Sequence, residues 1–563
     1  MQILTREAAL SLYEAWRTAV TDSALAAELA EIEGDEAAIY DRFFAELEFG
    51  TGGLRGKLGA GPRRMNIHTV ARATRGLAAY VIKSGVSPSV AIAYDSRINS
   101  QLFAETAAKI LSEAGIRVHL YPRLMPTPAL SYAVRALGCG AGIVITASHN
   151  PAVYNGYKVY GPDGCQITLE AARAITAEIA EADYFGNICG DDINIEYIGE
   201  DVVEDFIRGA SACVPAGGEG ELAVIYTPLC GAGMECVTRA LALRGFADVT
   251  TVSSQSKPDG NFPGLPYPNP EMPEALAEGL ALCRKKGADL LLATDPDCDR
   301  VGIAVKDGGD YTLLTGNECG CVLLAYLLER RAELGTLPEK PVIIKTIVTT
   351  DMAAAMAKAY GAELREVLTG FKFIGEQIGE LETKGEEDRY LFGFEESYGY
   401  LCGSYVRDKD GVSASLLICE AARYYKAKGM TLLDKLHELH ARFGCHAAKL
   451  ESVTLEGSDG IEKMNAIMKN LRENTPATIC GRALEAVEDY KFGVRRVHGK
   501  EEKLTLPASD VLKLRYEGDL TLTARPSGTE PKLKFYIAAA EASEAASRAM
   551  MDAALEIVLA MVK

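Results

Sequence analysis

Gly142-Ile143-Val144-Ile145-Thr146-Ala147-Ser148-His149-Asn150-Pro151 is an apolar run that ends abruptly in small and polar residues. Ile143 to Ile145 reads as a buried strand, and Pro151 cannot extend a strand ladder. In α/β folds, strand ends that open into polar loops are where ligands bind. Ser148 stands where a nucleophile would stand, with His149 beside it. Asn155-Gly156 predicts a tight turn, and a short strand through Tyr160 then brings Lys158 back towards the loop.

Working outward, the same architecture recurs without the same residues. Val90 to Tyr94 reads as a strand, Gln101 to Ala114 as a helix and Arg117 to Tyr121 as a strand. Leu222–Tyr226, Met234–Leu243 and Asp248–Val252 repeat the pattern, as do Val342–Thr346, Asp351–Tyr360 and Glu363–Val367. A glycine before each second strand favours a parallel crossover. After about residue 446 the pattern becomes α+β, with helices Ile461–Leu471 and Ala542–Met561 flanking strands near Val511–Arg515, Leu520–Ala524 and Leu533–Ala538. The expected fold is three related mixed-sheet α/β domains plus a C-terminal α+β domain around one central cleft. The expected divisions are 1–212, 213–314, 315–446 and 447–563. Residues 1 to 46 read as a helical packing extension without chemistry.

Composition narrows the function classes. The chain has 563 residues, 59 basic and 78 acidic side chains and a net charge of −19, which argues against a broad nucleic-acid surface. Local clusters of Arg and Lys can still bind an anionic small molecule. Met1 to Trp16 lacks the pattern of a signal peptide, and no apolar run approaches spanning length, so a cytoplasmic protein free of membrane is expected. The 14 cysteines include no Cys-x-x-Cys pair, and Cys319 and Cys321 lie in an apolar helical run. Buried free thiols are expected rather than disulfides or zinc. His437 and His440 read as structural.

Six further stretches carry chemistry. Phe49-Gly50-Thr51-Gly52-Gly53-Leu54-Arg55-Gly56 surrounds one arginine with glycines and suggests an anion contact at Arg55. Leu290 to Ala293 runs into Thr294-Asp295-Pro296-Asp297-Cys298-Asp299-Arg300, three carboxylates at alternate positions after a buried strand. That concentration of charge calls for a cation, and hard oxygen ligands select Mg²⁺. Thr369-Gly370-Phe371-Lys372 and Gly393-Phe394-Glu395-Glu396-Ser397-Tyr398-Gly399 follow, with Glu and Ser oxygens suited to sugar hydroxyls. Arg407-Asp408-Lys409-Asp410-Gly411 opens a helix from Ser413 and directs Lys409 to the cleft. Thr523-Ala524-Arg525-Pro526-Ser527-Gly528-Thr529-Glu530-Pro531-Lys532 offers a nest for a phosphate dianion, built from Arg525, Ser527, Gly528 and Thr529.

Together these loops resemble those of the α-D-phosphohexomutases, the phosphoglucomutase and phosphomannomutase superfamily. The resemblance spans roughly residues 40 to 563 in the family's order. The paired glycines Gly52 and Gly53, and Tyr398 and Tyr400 in the sugar loop, resemble the branch of longer bacterial phosphoglucomutases and phosphopentomutases. The family often has Gly or Ala where Pro296 and Cys298 stand. The resemblance implies that Ser148 carries a phosphoryl group held by Mg²⁺ on Asp295, Asp297 and Asp299. It implies catalytic roles for His149, Lys158 and Arg55, with Lys409 a third acid–base candidate. Arg300, Thr369, Gly370, Lys372, Glu395, Ser397 and Lys409 would contact substrate, and the Arg525 loop would grip the idle phosphate. The implied reaction interconverts glucose 1-phosphate and glucose 6-phosphate through glucose 1,6-bisphosphate, in a monomer or homodimer. Mannose and pentose phosphates are the alternative substrates within the family. An aspartate-nucleophile phosphatase using Asp295 is the rival enzyme class.

Overall fold

The computed structural model describes residues 3–50, 52–455, 460–527 and 532–562. The opening stretch forms the strand Ala141–Ile145, buried at every position. It lies inside a six-stranded sheet in the order Leu54–Lys57, Tyr154–Tyr160, Ala141–Ile145, Ser89–Tyr94, Arg117–Leu120 and Ile195–Tyr197. Ser89–Tyr94 pairs in parallel with both Arg117–Leu120 and Ala141–Ile145. Leu54–Lys57 and Tyr154–Tyr160 close one edge in antiparallel fashion.

The two later repeats fold as expected. Val224–Thr227 pairs in parallel with Val249–Thr251, and Val342–Thr346 with Glu363–Val367. The helices Ser100–Glu113, Gly233–Leu243 and Met352–Ala359 carry the crossovers. The glycines before the second strands, Gly115, Gly245 and Gly361, all take φ between 66° and 78°, a region that only glycine enters without strain. The second sheet is completed by Leu290–Thr294, Val301–Asp307 and Asp310–Leu314, and the third by Tyr390–Phe394 and Tyr400–Leu401. One continuous apolar core runs through all three, including Val144, Tyr226, Ile303, Ile344, Phe392 and Leu417.

The last sheet is antiparallel: Cys445–Thr454, Lys532–Glu541, Leu520–Pro526, Leu512–Tyr516, Arg482–Asp489, Val494–Val497 and Lys500–Lys503. The helices Gly460–Glu473 and Glu544–Val562 accompany it, and Met464, Met468, Leu514, Phe535, Ile537 and Val558 share a core of its own. The N-terminal helices Arg6–Ala19, Ser23–Glu31 and Glu36–Phe43 pack around Trp16 and Phe43. Glu28 in this extension accepts the Ala60 N–H at 2.9 Å, so it braces the chain just beyond the strand that carries Arg55.

One expectation is corrected. Asn155-Gly156 is not a turn: both residues lie inside Tyr154–Tyr160. A Cβ on Gly156 would sit 2.4 Å from the Thr146 carbonyl oxygen and 2.9 Å from that of Leu54. The glycine is required by close backbone approach on both flanks, not by a reversal. Lys158 still arrives near the loop, through the register Val144↔Lys158. All 14 cysteines are free thiols, and Cys319 and Cys321 are buried in the helix Gly316–Glu333. His440 is buried in Leu432–Phe443. No helix among the described residues is long and apolar enough to cross a membrane.

Candidate active site

Ser148 follows its strand in the left-handed region, with φ 52°. Such a conformation costs a β-carbon residue about 1–2 kcal/mol, so its surroundings must impose it. Thr146 Oγ1 accepts the Ser148 N–H at 2.8 Å and donates to Asp95 Oδ2 at 2.6 Å. Arg97, fully buried beside Asp95, is the main staple of the loop. Its guanidinium donates to the carbonyls of Ser148 and Asn150, and to those of Pro151 at 3.0 Å and Tyr154 at 3.1 Å. Sequence reading missed Asp95 and Arg97. The available signal was their place just past Val90–Tyr94, a strand end like that of Ser148.

The Ser148 hydroxyl is held from three sides. It donates to Asp295 Oδ2 at 2.9 Å, accepts from Arg300 Nη1 at 2.6 Å and lies 3.2 Å from His149 Nδ1. Burial, reinforced by Arg300 and Arg55, pushes the His149 imidazole well below its usual range. That shift favours the neutral ring. Arg55 lies on Leu54–Lys57, solvent-accessible, and desolvation by its surroundings, with Arg300, lowers its pKa.

Asp295, Asp297 and Asp299 lie in the turn between Leu290–Thr294 and Val301–Asp307, all at most 1% exposed. One oxygen from each falls within 4.8 Å of the others. Asp295 Oδ1 accepts the N–H groups of Asp299 and Arg300, each at 3.0 Å. Asp297 Oδ2 accepts from Lys158 Nζ at 2.8 Å and from Thr127 Oγ1 at 3.0 Å. Asp299 pairs with Lys409 at 2.9 Å, Arg300 at 3.0 Å and Lys158 at 3.4 Å. Burial and its two carboxylate neighbours raise Asp295 well above the carboxylate range. Burial acts the same way on Asp297, but Lys158 and Arg300 outweigh it and hold that carboxyl low. Three carboxylates at this spacing need more than one cation to ionise together. Asp297 Oδ1 is buried without a hydrogen-bond partner. An orphaned carboxylate oxygen inside an all-oxygen cluster suits a hard divalent cation.

Cys298 takes φ 51° within this turn and is fully buried. Its Sγ lies 2.9 Å from the place a Cβ on Gly233 would occupy. It therefore packs beneath the turn, and the departure from Gly or Ala leaves the three carboxylates together.

The Glu395 loop follows Tyr390–Phe394. Glu395 Oε1 accepts the Gly370 N–H at 3.0 Å, which joins the two predicted segments of the third domain. Burial pushes the Glu395 carboxyl up to about 7, against the pull of Lys409. Burial would lower the Lys409 ammonium, but Asp299 and Asp408 hold it well above the usual lysine range. Ser397 offers its carbonyl to Arg300 Nε at 3.1 Å, and the Val301 N–H donates to the Tyr398 carbonyl at 3.1 Å. The carboxylate turn and the loop carrying Glu395 are thus joined. Thr369 and Gly370 follow Glu363–Val367, and Gly370 takes φ 120° at the start of Phe371–Thr383.

Arg525 lies in Leu520–Pro526, half-buried, and the Ser527 N–H donates to the Lys532 carbonyl at 2.7 Å. Gly528 and Thr529 lie outside the described residues. Lys534 stands directly opposite Arg525 across the antiparallel pair. Burial, then Arg525 and Lys532, lower its pKa. Lys372 is likewise lowered by burial, with Arg525 contributing. Like charges opposed across a ladder are destabilising, and a bound anion would relieve them. Lys534 was missed in the sequence, where its partner across the sheet is invisible.

Comparison with known proteins places the chain in a family. Profiles described as Phosphoglucomutase/phosphomannomutase, alpha/beta/alpha domains I, II and III match residues 46–185, 204–309 and 315–443. A phosphoglucomutase of Staphylococcus aureus is 38% identical over 507 residues, covering 88% of this chain and 90% of its own. A phosphoglucomutase/phosphomannomutase family protein from Burkholderia thailandensis superposes with a TM-score of 0.66 at 20% identity, over 91% of this chain and 97% of its own. The open form of the Paramecium phosphoglucomutase parafusin gives 0.65 at 17% identity, over 92% and 95%. These two structures share the fold, and the sequence matches carry the kinship: the chain belongs to the phosphoglucomutase/phosphomannomutase family.

Proposed function

We propose that this protein is a phosphoglucomutase, interconverting α-D-glucose 1-phosphate and glucose 6-phosphate through a phosphoserine at Ser148. The observation that carries this reading is the Ser148 hydroxyl, held at a strained strand end 2.9 Å from Asp295 and 2.6 Å from Arg300. A phosphoryl group on Ser148 Oγ would meet Arg300 and Arg55 for charge neutralisation. Asp295, Asp297 and Asp299 would hold Mg²⁺, which when bound supplies Lewis-acid neutralisation of phosphoryl oxygens.

The transfer balances simply. The Oγ–P bond of phospho-Ser148 breaks as a bond from phosphorus to a sugar hydroxyl oxygen forms. The hydroxyl proton leaves to a base, and Ser148 is left as the alkoxide equivalent that takes a proton. When Ser148 attacks in the return transfer, its hydroxyl faces Asp295 Oδ2 at 2.9 Å and His149 Nδ1 at 3.2 Å, and with Asp295 holding the metal, His149 would take the proton. Lys158 and Lys409 are engaged as cations by Asp297, Asp299 and Asp408, so they orient and neutralise. Glucose 1,6-bisphosphate then turns over, and its other phosphoryl group returns to Ser148. Arg525, Ser527 and Lys534, with Lys372 at the rim, would grip whichever phosphate is idle, and Gly528 and Thr529 are proposed to complete that clamp. Thr369, Gly370, Glu395 and Ser397 would read the sugar.

Asp295 as a phosphatase nucleophile is disfavoured, because both its oxygens already accept hydrogen bonds. The test is a panel of glucose, mannose and ribose 1-phosphates with the wild type and Ser148→Ala. Preference for glucose 1-phosphate, an acid-stable phosphate on Ser148 and a loss of about 10⁴-fold or more in Ser148→Ala are expected. Preference for ribose 1-phosphate would reassign the substrate, and an active Ser148→Ala would remove the nucleophile.

A further inference from the structure

Thr127 belongs to none of the loops singled out in the sequence, yet it touches the carboxylate cluster twice. It opens the helix Thr127–Ala136 behind Pro126, which makes no side-chain cap. Its N–H donates to the Asp297 carbonyl at 2.9 Å, and its hydroxyl donates to Asp297 Oδ2 at 3.0 Å. Thr127 is fully buried. The positive end of a helix dipole therefore abuts the turn carrying three carboxylates, where it favours negative charge.

The two oxygens of Asp297 are treated unequally. Oδ2 carries the Thr127 hydroxyl and the Lys158 ammonium, at 3.0 and 2.8 Å. Oδ1 is buried and has no partner. A carboxylate can rotate about its terminal bond, and a lone ammonium can follow it, since Lys presents three donors on a flexible stem. A threonine hydroxyl on a helix that is itself fixed by its N–H to the same residue cannot follow. From this division of labour we infer that Thr127 is a positioning residue for the divalent-cation site, fixing which oxygen of Asp297 is presented as a ligand. It does so from the first domain, across to the second, so the metal turn is set against the same sheet that carries Ser148.

The inference rests on the metal assignment above, and its test separates the two. The probe is Mn²⁺, titrated into the purified protein and followed by its paramagnetic resonance signal and by calorimetry, alongside steady-state turnover over a range of Mg²⁺. Thr127→Val keeps the volume and the backbone hydrogen bond but removes the hydroxyl. Thr127→Ser keeps the hydroxyl. Outer-shell partners of metal ligands are typically worth about 10–100-fold in metal affinity. Thr127→Val should weaken Mn²⁺ by roughly that factor, while KM for the sugar phosphate at saturating Mg²⁺ stays within about threefold of wild type. Thr127→Ser should restore affinity to within about threefold. Should Thr127→Val unfold, Thr127→Ala removes the same donor without a second methyl and must show the same loss. Wild-type Mn²⁺ affinity in a folded Thr127→Val or Thr127→Ala would overturn the role. So would a Thr127→Ser as weak as the valine variant, because packing of the methyl group would then be the cause. A wild type that binds no Mn²⁺ would bring down the metal assignment and this inference together.

Discussion

The centre around Ser148 and the hairpin carrying Arg525 are built in contrary ways. Ser148, Lys158 and the three aspartates are buried, and the hydrogen bonds that fix them come from three domains. Thr127 reaches from the first, Asp295 and Arg300 from the second and Lys409 from the third. Further bonds lock those domains together: Tyr160 to Asp408 at 2.7 Å, the Gly411 N–H to the Cys298 carbonyl at 3.0 Å and the Val301 N–H to Tyr398. Arg525 instead lies at the end of a strand in a sheet with its own core. That sheet meets the rest through a small apolar cluster of Ile347, Leu368, Tyr490 and Val511, and through a few polar contacts such as Arg515–Asp351 at 3.2 Å. Under the proposed function, a preorganised electrostatic centre would act on the transition state, and a half-exposed cationic clamp on a separately built domain would act on binding. Defects in the two should therefore appear in different kinetic constants.

After loss of the nucleophile itself, the largest effect should come from Asp297→Asn. It keeps the shape but removes one charge from a triad that Lys158 and Arg300 already crowd. Turnover should fall by several orders of magnitude, on the order of 10³ or more, with KM little changed. Steady-state kinetics in excess Mg²⁺ measures it. An intact kcat would place the charge neutralisation elsewhere.

The contrast sharpens with Arg525→Ala. One charged contact to a phosphate is worth about 2–4 kcal/mol in kcat/KM. Because the clamp would hold the idle phosphate in ground state and transition state alike, most of that loss should fall on KM. An equal loss confined to kcat would mean that the fourth sheet takes part in chemistry, and the division drawn above would fail. Inorganic phosphate should also compete less well against substrate in this variant than in the wild type.

This contrast also explains what was legible in the sequence. Ser148, Asp295, Asp297, Asp299, Glu395 and Arg525 stand at strand ends inside distinctive loops, and position along the chain is enough to find such residues. Arg97, Thr127 and Lys534 act by facing something distant in sequence: four carbonyls, a carboxylate and an arginine across a ladder. No local pattern records those contacts, although Arg97 stands just past a strand end. The parallel repeats were legible because hydrophobic runs, helical spacing and a preceding glycine agree in each. Asn155-Gly156 misled because its glycine answers to neighbouring strands rather than to a turn. In the last sheet, Lys500–Lys503 is exposed at every position, so no alternation of apolar residues betrayed an edge strand.

The smallest expected effect tests whether the sugar loop belongs with the rigid centre. Glu395 is nearly buried, and burial raises its carboxyl to about 7 from an ordinary value of 4.5. Its Oε1 already accepts the Gly370 N–H, so replacing it by Gln can preserve shape and one hydrogen bond. A carboxyl whose folded pKa is raised favours the folded state only while it is protonated. That contribution is full below about pH 4.5 and is lost as the pH rises to about 7. Relative to wild type, Glu395→Gln should therefore gain stability between those values and level off above, by at most about 3 kcal/mol. Thermal unfolding across that pH range measures the difference, and a flat difference would mean that Glu395 titrates normally. In catalysis the amide exchanges an acceptor oxygen for a donor nitrogen and should misread sugar hydroxyls, at about 1–3 kcal/mol in kcat/KM. If Glu395 shares the rigidity of the Ser148 centre, it cannot rotate to hide the mismatch, and glucose and mannose 1-phosphates should lose unequally. Equal losses for both sugars would show the loop adapting to its ligand, and would move it to the Arg525 side of the comparison.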